Sequence, residues 1–264
     1  MQLPLPLPMD ADETWKSHRR TMCDQLALEY VRERDAQYSY QSQKRIVFEL
    51  LAGVRGRILD AGCGPAMIES SLLDMGLEVH GIDVSPEMIR LGHARIAQHP
   101  LRERCRLDVG EIEQLDCPDG HFDAIVAMGV LEYVPDHRAT LRELHRALKP
   151  GGTVVLTVPN RISAYRLVRY GVYRVADFVR GRPERPEFTR APGQNRCLPW
   201  GLDAELVRVG FRKLASRFCN FIVFPLPDVA PKLSDRLNRA LSWCSASPLG
   251  IWGNQYVVKA VKAR

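Results

Sequence analysis

No stretch of the chain approaches the roughly 18 consecutive apolar residues of a membrane-spanning helix. No two of its seven cysteines stand at C-x-x-C spacing. Cys23, Cys63, Cys105, Cys117, Cys197, Cys219 and Cys244 are scattered, with no histidine at metal-ligand spacing. This argues against a structural zinc site and for reduced thiols, most of them packing residues. The opening Leu3-Pro4-Leu5-Pro6-Leu7-Pro8 alternates leucine with proline, which lacks the N–H that a helix needs. It therefore cannot supply the helical core of a signal peptide. A cytoplasmic chain without a bound metal is the expectation, and no internal repeat is present.

Acidic residues are scarce in one place. Arg161, Arg166, Arg169, Arg174, Arg180, Arg182, Arg185, Arg190 and Arg196 face only Asp177, Glu184 and Glu187, an excess equal to the net charge of +6 of all 264 residues. A solvated basic face and a docking face are both open readings of this segment. From Ile162 to Val179 the apolar residues recur at helical spacing, with arginines and tyrosines elsewhere on the wheel. Such a helix suits a lid, a partner surface or peripheral contact with an anionic membrane.

What the chain does contain is centred on Ile58-Leu59-Asp60-Ala61-Gly62-Cys63-Gly64-Pro65. An apolar run, an acid, two glycines and a proline predict a buried strand, a tight turn and a helix starting at Pro65. Glycine lets bare backbone approach a ligand. The third glycine of the dinucleotide fingerprint is missing, since Met67 stands in its place. Asp60, at the carboxyl end of the strand, suits a ligand with ammonium or hydroxyl groups better than a pyrophosphate. At these residues the chain resembles the class I S-adenosylmethionine-dependent methyltransferases, in the branch of the ubiquinone and menaquinone methyltransferases.

Further acids follow in order. The helix after the turn stops at Gly76, and Leu77 to Asp83 forms a second strand ending 21 residues past Gly62. An acid there accepts both ribose hydroxyls. Nicotinamide dehydrogenases share that spacing, so it supports a nucleoside site without choosing the cofactor. Ser85 and Pro86 start the next helix as N-cap and first residue. A third strand, Cys105 to Val109, leads to Glu111 and Ile112. A fourth ends in Met128-Gly129, followed by Leu131-Glu132-Tyr133-Val134-Pro135-Asp136. Leu141, Leu144 and Leu148 mark a helix stopped by Pro150-Gly151-Gly152, and a fifth strand covers Thr153 to Val158. His145 lies off that stripe, an edge residue rather than a base.

The resemblance covers Lys44 to Pro159, Gly201 to Phe211 and the last strand. It implies an α/β fold: a Rossmann-like, seven-stranded, mainly parallel sheet with helices on both faces and a helical cap from two insertions. The domains expected are an N-terminal helical lid over residues 1–43, a cofactor-binding core over 44–159 and 200–264 with an insertion at 221–253, and a basic cap at 160–199. It implies S-adenosylmethionine as cofactor, held by Asp60, Ala61, Gly62, Gly64, Asp83, Val84, Glu111, Ile112 and Met128. Tyr38 and Tyr40 are candidates for the methionine end, and packing serves them equally well. Glu132, Tyr133 and His137 are candidate bases for a hydroxyl acceptor; Tyr133 stands where the family commonly has histidine. Arg161 and Arg166 are candidates to hold an acidic group on the acceptor.

The activity implied is methyl transfer to a small-molecule or lipid-like acceptor, oxygen favoured. No D-P-P-Y or N-P-P-Y tetrapeptide follows the fourth strand, which disfavours a nucleic acid substrate. The alternatives are an RNA or protein methyltransferase docking through the basic insertion, a nicotinamide oxidoreductase, and a non-catalytic binding protein. Residues from Arg212 to Phe224 are expected as the sixth strand, Gln255 to Val261 as the seventh, and Leu233 to Trp243 as a short helix. Trp243 and Trp252 are expected in the core or lining an acceptor pocket, with core packing preferred.

Overall fold

The computed structural model describes residues 20–21, 23–24, 37–179 and 198–263. Neighbouring residues of its central strands are all buried yet belong to opposite faces, because successive side chains on a strand alternate. Ile58, Val126, Val155 and Val257 pack on one side, and Leu59, Ile125, Val154 and Val258 on the other. Strands covered on both faces are continuous apolar runs, the pattern of a sheet with helices on either side.

The strands are β1 (Arg57–Ala61), β2 (Glu78–Asp83), β3 (Cys105–Val109), β4 (Phe122–Met128), β5 (Leu148–Pro159), β6 (Phe211–Cys219) and β7 (Gln255–Lys262). Their order is β3-β2-β1-β4-β5-β7-β6. The first five strands run parallel, and β7 is antiparallel to both β5 and β6. Strand order reverses between β1 and β4, which opens a crevice at their carboxyl ends.

The helices are α1 (Tyr38–Leu51), α2 (Glu69–Asp74), α3 (Pro86–Ile96), α4 (His137–Ala147), α5 (Ala164–Val179), α6 (Pro199–Val209), α7 (Leu226–Val229) and α8 (Pro231–Ala240). On one face α1 and α2 contribute Ile46, Val47, Leu51, Leu72 and Leu73; on the other α4 and α6 contribute Leu141, Leu144 and Leu206. Replacing a fully buried leucine such as Leu141 by alanine costs about 2–5 kcal/mol. Ile89 and Ile96 of α3 pack with Leu107 in a smaller cluster.

The caps follow the sequence. The Ser85 hydroxyl accepts the Met88 N–H at 3.1 Å with Pro86 as first helical residue. The Asp136 carboxylate accepts from Arg138 and Ala139 at 2.8 and 3.0 Å, and α6 ends at Gly210 in the left-handed region.

Several expectations are corrected. The helix after the glycine turn starts at Glu69, not Pro65, because Ala66 takes a φ of 55° that no right-handed helix accommodates. Leu148 belongs to β5, so α4 stops at Ala147 and Pro150-Gly151-Gly152 lies within the strand. β6 ends at Cys219, short of Phe224. The expected helix from Leu233 to Trp243 is α8 followed by two 3-10 segments, Leu241–Ala246 and Pro248–Trp252. Trp243 and Trp252 are 70% and 49% exposed and are not core residues. Most of the expected N-terminal lid, residues 1–43, lies outside the described residues, as do the arginines from Arg180 to Arg196.

Candidate active site

The β1 turn is drawn onto β2 by its own backbone: Gly62 and Cys63 donate N–H groups to the Ile82 carbonyl at 2.8 and 2.9 Å. Gly62 has a φ of 82°, and a Cβ there would lie 2.3 Å from Val130 Cγ2. No other residue fits this close approach. The Asp83 carboxylate, at the tip of β2, accepts the Gly64 N–H at 3.0 Å and the Ser85 N–H at 2.9 Å. Two turns that border the crevice are thereby locked to one acid.

Asp60 lies deeper than its place at the strand end suggests. It is 3% exposed, and the fully buried Glu69 is beside it. Burial is the first cause of the rise of both carboxyls above their ordinary range, and for Asp60 the charge of Glu69 adds to it.

The end of β3 is tied to β2 by the Gly110 N–H, which reaches the Asp83 carbonyl at 3.0 Å. Glu111 follows in a tight turn bridged to Gln114, while Ile112 is a core residue at 5% exposure. Arg146 of α4 fastens the far side of this loop, donating to the Leu115 and Cys117 carbonyls and to the carboxylates of Glu143 and Asp119. Such a forked cation fixes several acceptors at once.

At the end of β4, the Gly129 N–H donates to the Thr157 hydroxyl at 2.9 Å, and the Gln43 amide of α1 donates to the same oxygen at 2.5 Å. Lys44 reaches the Met67 carbonyl at 3.3 Å. α1 is thus bonded to both the β4 turn and the segment after the glycine turn. Tyr40 is buried, and Tyr38 lies under the Arg239 guanidinium of α8 at 5.1 Å. From the N-terminal residues, Arg20 donates to the Val84 carbonyl at 3.2 Å, and Asp24 accepts from the Ser85 hydroxyl.

The 3-10 turn Leu131–Tyr133 holds Glu132, which is buried, and Tyr133, which is half-buried. His137 opens α4. Burial pushes its imidazole below the ordinary histidine range, against the pull of the Leu131 carbonyl, to which the ring is hydrogen-bonded. After β5, Arg161 is exposed and the Arg166 Nε donates to Asn254 Oδ1 at 3.0 Å. His145 is half-buried and packs edge-on against Phe211 at 5.0 Å.

Asp60, Ala61, Asp83 and Met128 stand at the ends of β1, β2 and β4; Gly62, Gly64, Val84, Glu111, Ile112, Glu132, Tyr133, His137, Arg161 and Arg166 follow the ends of β1 to β5; Tyr38 and Tyr40 lie apart, on α1. Gln43, Thr157 and Glu69 were not singled out. The first two are 114 residues apart and meet only through the fold, and Glu69 is by sequence one acid at a helix start. Among the described residues no cluster of histidine, cysteine or carboxylate groups is arranged to hold a metal ion.

Residues 59–156 match the family model described as a methyltransferase domain. A ubiquinone biosynthesis O-methyltransferase of Xanthomonas oryzae pv. oryzae is 35% identical over 145 residues. That match covers 49% of this chain and 58% of the relative, so the chain spans little more than half the length of the curated relatives it matches. Among solved structures, the cyclase SpnF superposes with a TM-score of 0.66 at 19% identity, covering 94% of this chain and 97% of that one. Magnesium protoporphyrin IX methyltransferase from Synechocystis PCC 6803, solved with S-adenosylhomocysteine, superposes at 0.62 with 14% identity, covering 94% and 100%. At these identities the likeness is one of fold, and a cyclase shares it. The glycine turn and the acids Asp60 and Asp83 lie within residues 59–156, the segment that is similar to a methyltransferase domain.

Proposed function

We propose that the protein transfers the methyl group of S-adenosylmethionine to an oxygen of a small-molecule or lipid-like acceptor. The observation that carries this reading is the crevice between β1 and β4. Gly62 and Gly64, both in the left-handed region, follow β1 at this crevice, and the Asp83 carboxylate is held in place by two backbone N–H groups. These residues fit the cofactor: the turn admits close approach, Asp83 suits the ribose hydroxyls, and Asp60 supplies an acid below the turn for the methionine ammonium. Ala61, Val84, Glu111, Ile112 and Met128 complete the proposed cofactor site at the neighbouring strand ends.

When bound, the cofactor supplies a methyl group on a sulfonium, a leaving group already activated. The chain has to align the acceptor and exclude water. A base is needed only where the acceptor is not already nucleophilic at neutral pH. Glu132, Tyr133 and His137 are the proposed candidates, and the lowered pKa of His137 keeps its imidazole neutral and able to take a proton. Arg161 and Arg166 are proposed to hold an acidic group on the acceptor. Residues 1–43 are proposed as a lid, in which Arg20 bonds to the Val84 carbonyl and Asp24 to the Ser85 hydroxyl, the residues that follow Asp83. The O-methyltransferase relatives support oxygen as the target.

The basic cap carries the acceptor's surroundings. α5 turns Tyr165 and Tyr173 inward against Phe224, while Leu167, Val168, Val172 and Val175 are 47% to 64% exposed. An outward apolar stripe beside arginines suits peripheral contact with an anionic membrane, where a lipid-like acceptor would be found. No helix among the described residues is long and apolar enough to cross a bilayer.

Incubation with S-adenosylmethionine and a panel of phenolic and carboxylated acceptors, with S-adenosylhomocysteine as the readout, tests the activity. Acceptor-dependent product supports it, and cofactor binding without product across the panel favours a binding protein. Co-sedimentation with phosphatidylglycerol but not phosphatidylcholine vesicles is expected for the cap, and binding to neither or equal binding to both argues against the anionic surface.

A further inference from the structure

Glu69 has no part in the cofactor contacts assigned above. It is the first residue of α2 and is fully buried, and its Oε2 accepts the Ile68 N–H at 3.0 Å. Its carboxyl also contacts that of Asp60, itself 3% exposed. Asp60 Oδ1 and Glu69 Oε1 are both sealed from solvent without a hydrogen-bond donor. A carboxylate only accepts, so two ionised groups here would leave both oxygens unsatisfied and two unhydrated charges in contact. One proton removes a charge and supplies the missing donor.

The surroundings do not offer a competing solution. Asp83 at the tip of β2 adds negative charge, and the thiols of Cys63 in the turn and Cys105 on β3 are themselves pushed upward by burial and by these carboxyls. Arg95 of α3 attracts Glu69, but is the smallest of the named influences on it. Lys44 of α1 donates to the Met67 carbonyl. Burial dominates, and the pair retains a proton.

We propose that Asp60 and Glu69 form a proton-sharing carboxyl pair that senses the ammonium group of the cofactor, giving up its proton when that ammonium seats over the Gly62 turn. This rests on the reading of the turn as the S-adenosylmethionine site. The O–H bond within the pair breaks, the proton passes to solvent, and the pair goes from one negative charge to two, balanced by the arriving cation. Glu69 is a positioning residue: it sets the protonation state of Asp60 without touching the ligand. Cofactor and protons then compete, so affinity falls by about tenfold per pH unit below the titration of the pair. A ligand without a cationic group gains nothing from the exchange, which adds selectivity at this turn.

The test is calorimetric titration of the full chain with S-adenosylhomocysteine near pH 7 in phosphate and in Tris, whose ionisation enthalpies differ. The dependence of the observed heat on buffer counts the protons. Release approaching one proton is expected for the native chain. In Glu69→Gln the amide donates to Asp60 and leaves it ionised, so the release should fall close to zero and the loss of affinity from pH 7.5 to 6 should flatten. Binding with no proton released, or equal release in Glu69→Gln, overturns the proposal while leaving the cofactor reading intact. Absence of any binding overturns that reading and the proposal with it. If Glu69→Gln does not fold, the two-buffer comparison on the native chain decides alone.

Discussion

The Asp83 carboxylate accepts the backbone N–H of Gly64 at 3.0 Å, so the acid at the tip of β2 holds the turn that follows β1. Its other oxygen accepts from Ser85, where α3 is capped. One side chain thus sets the spacing of two strand ends, and in the proposed function it also holds the ribose.

Replacing Asp83 separates these duties. Asp83→Ala should weaken S-adenosylhomocysteine binding by about 1.5–3 kcal/mol, the range for hydrogen bonds to a charged group. Asp83→Asn keeps one acceptor oxygen and should lose less. Calorimetry on both variants, with circular dichroism to check folding, reads the difference; equal affinity in a folded Asp83→Ala removes the residue from the site.

Gly62→Ala should destabilise the chain. The left-handed backbone costs an L-residue about 1–2 kcal/mol, and the new methyl meets Val130 at 2.3 Å. Adding Val130→Ala should relieve the clash but not the backbone strain. Denaturant midpoints of the two variants report this; a double variant no more stable than Gly62→Ala would show that Val130 does not limit the turn.

Gln43→Leu should loosen α1. It removes the amide donated to Thr157, whose hydroxyl also takes the Gly129 N–H, and a buried hydrogen bond lost on one side costs about 1–3 kcal/mol. A lower melting temperature, with faster amide exchange at Gly129, is expected. Unchanged exchange there would mean that α1 does not support the β4 turn.

Acidification should destabilise the fold through histidines. His121, His137 and His145 all titrate below their ordinary range because burial disfavours the cation. The unfolded chain then binds the proton more readily, so the stability present above about pH 6.5 is lost as pH falls through the folded-state values. The Asp60–Glu69 pair acts in the opposite sense: its raised carboxyls favour the fold at low pH, and that contribution is lost as pH rises through their folded values. Melting temperatures from pH 7.5 to 5.5 should show a shallower decline in His137→Gln than in the native chain. Parallel declines would exclude His137 from the effect.

The sheet was legible because buried parallel strands are short apolar runs with a marked end: Ile58-Leu59, closed by Asp60, and Ala124 to Met128, closed by Gly129, stand out without neighbours for context. Ser85-Pro86 marked its helix for the same local reason. Leu148 was misplaced because it continues the helical spacing of Leu141 and Leu144, and only its pairing with Phe122 makes it a strand residue. The outward stripe of α5 and the exposed Trp243 defeat any rule that puts apolar residues inside. In the site, the acids at strand ends were visible as a spacing. The bond from Gln43 to Thr157 and the proximity of the Glu69 and Asp60 carboxyls were not, since the first depends on topology and the second on burial.

The most direct test of the account is equilibrium titration of the purified chain with S-adenosylhomocysteine and, separately, with NADH. Saturable binding of the sulfur nucleoside and none of NADH is the expected result. Binding of NADH with no response to S-adenosylhomocysteine would contradict the assignment of the β1–β4 crevice and every role built on it.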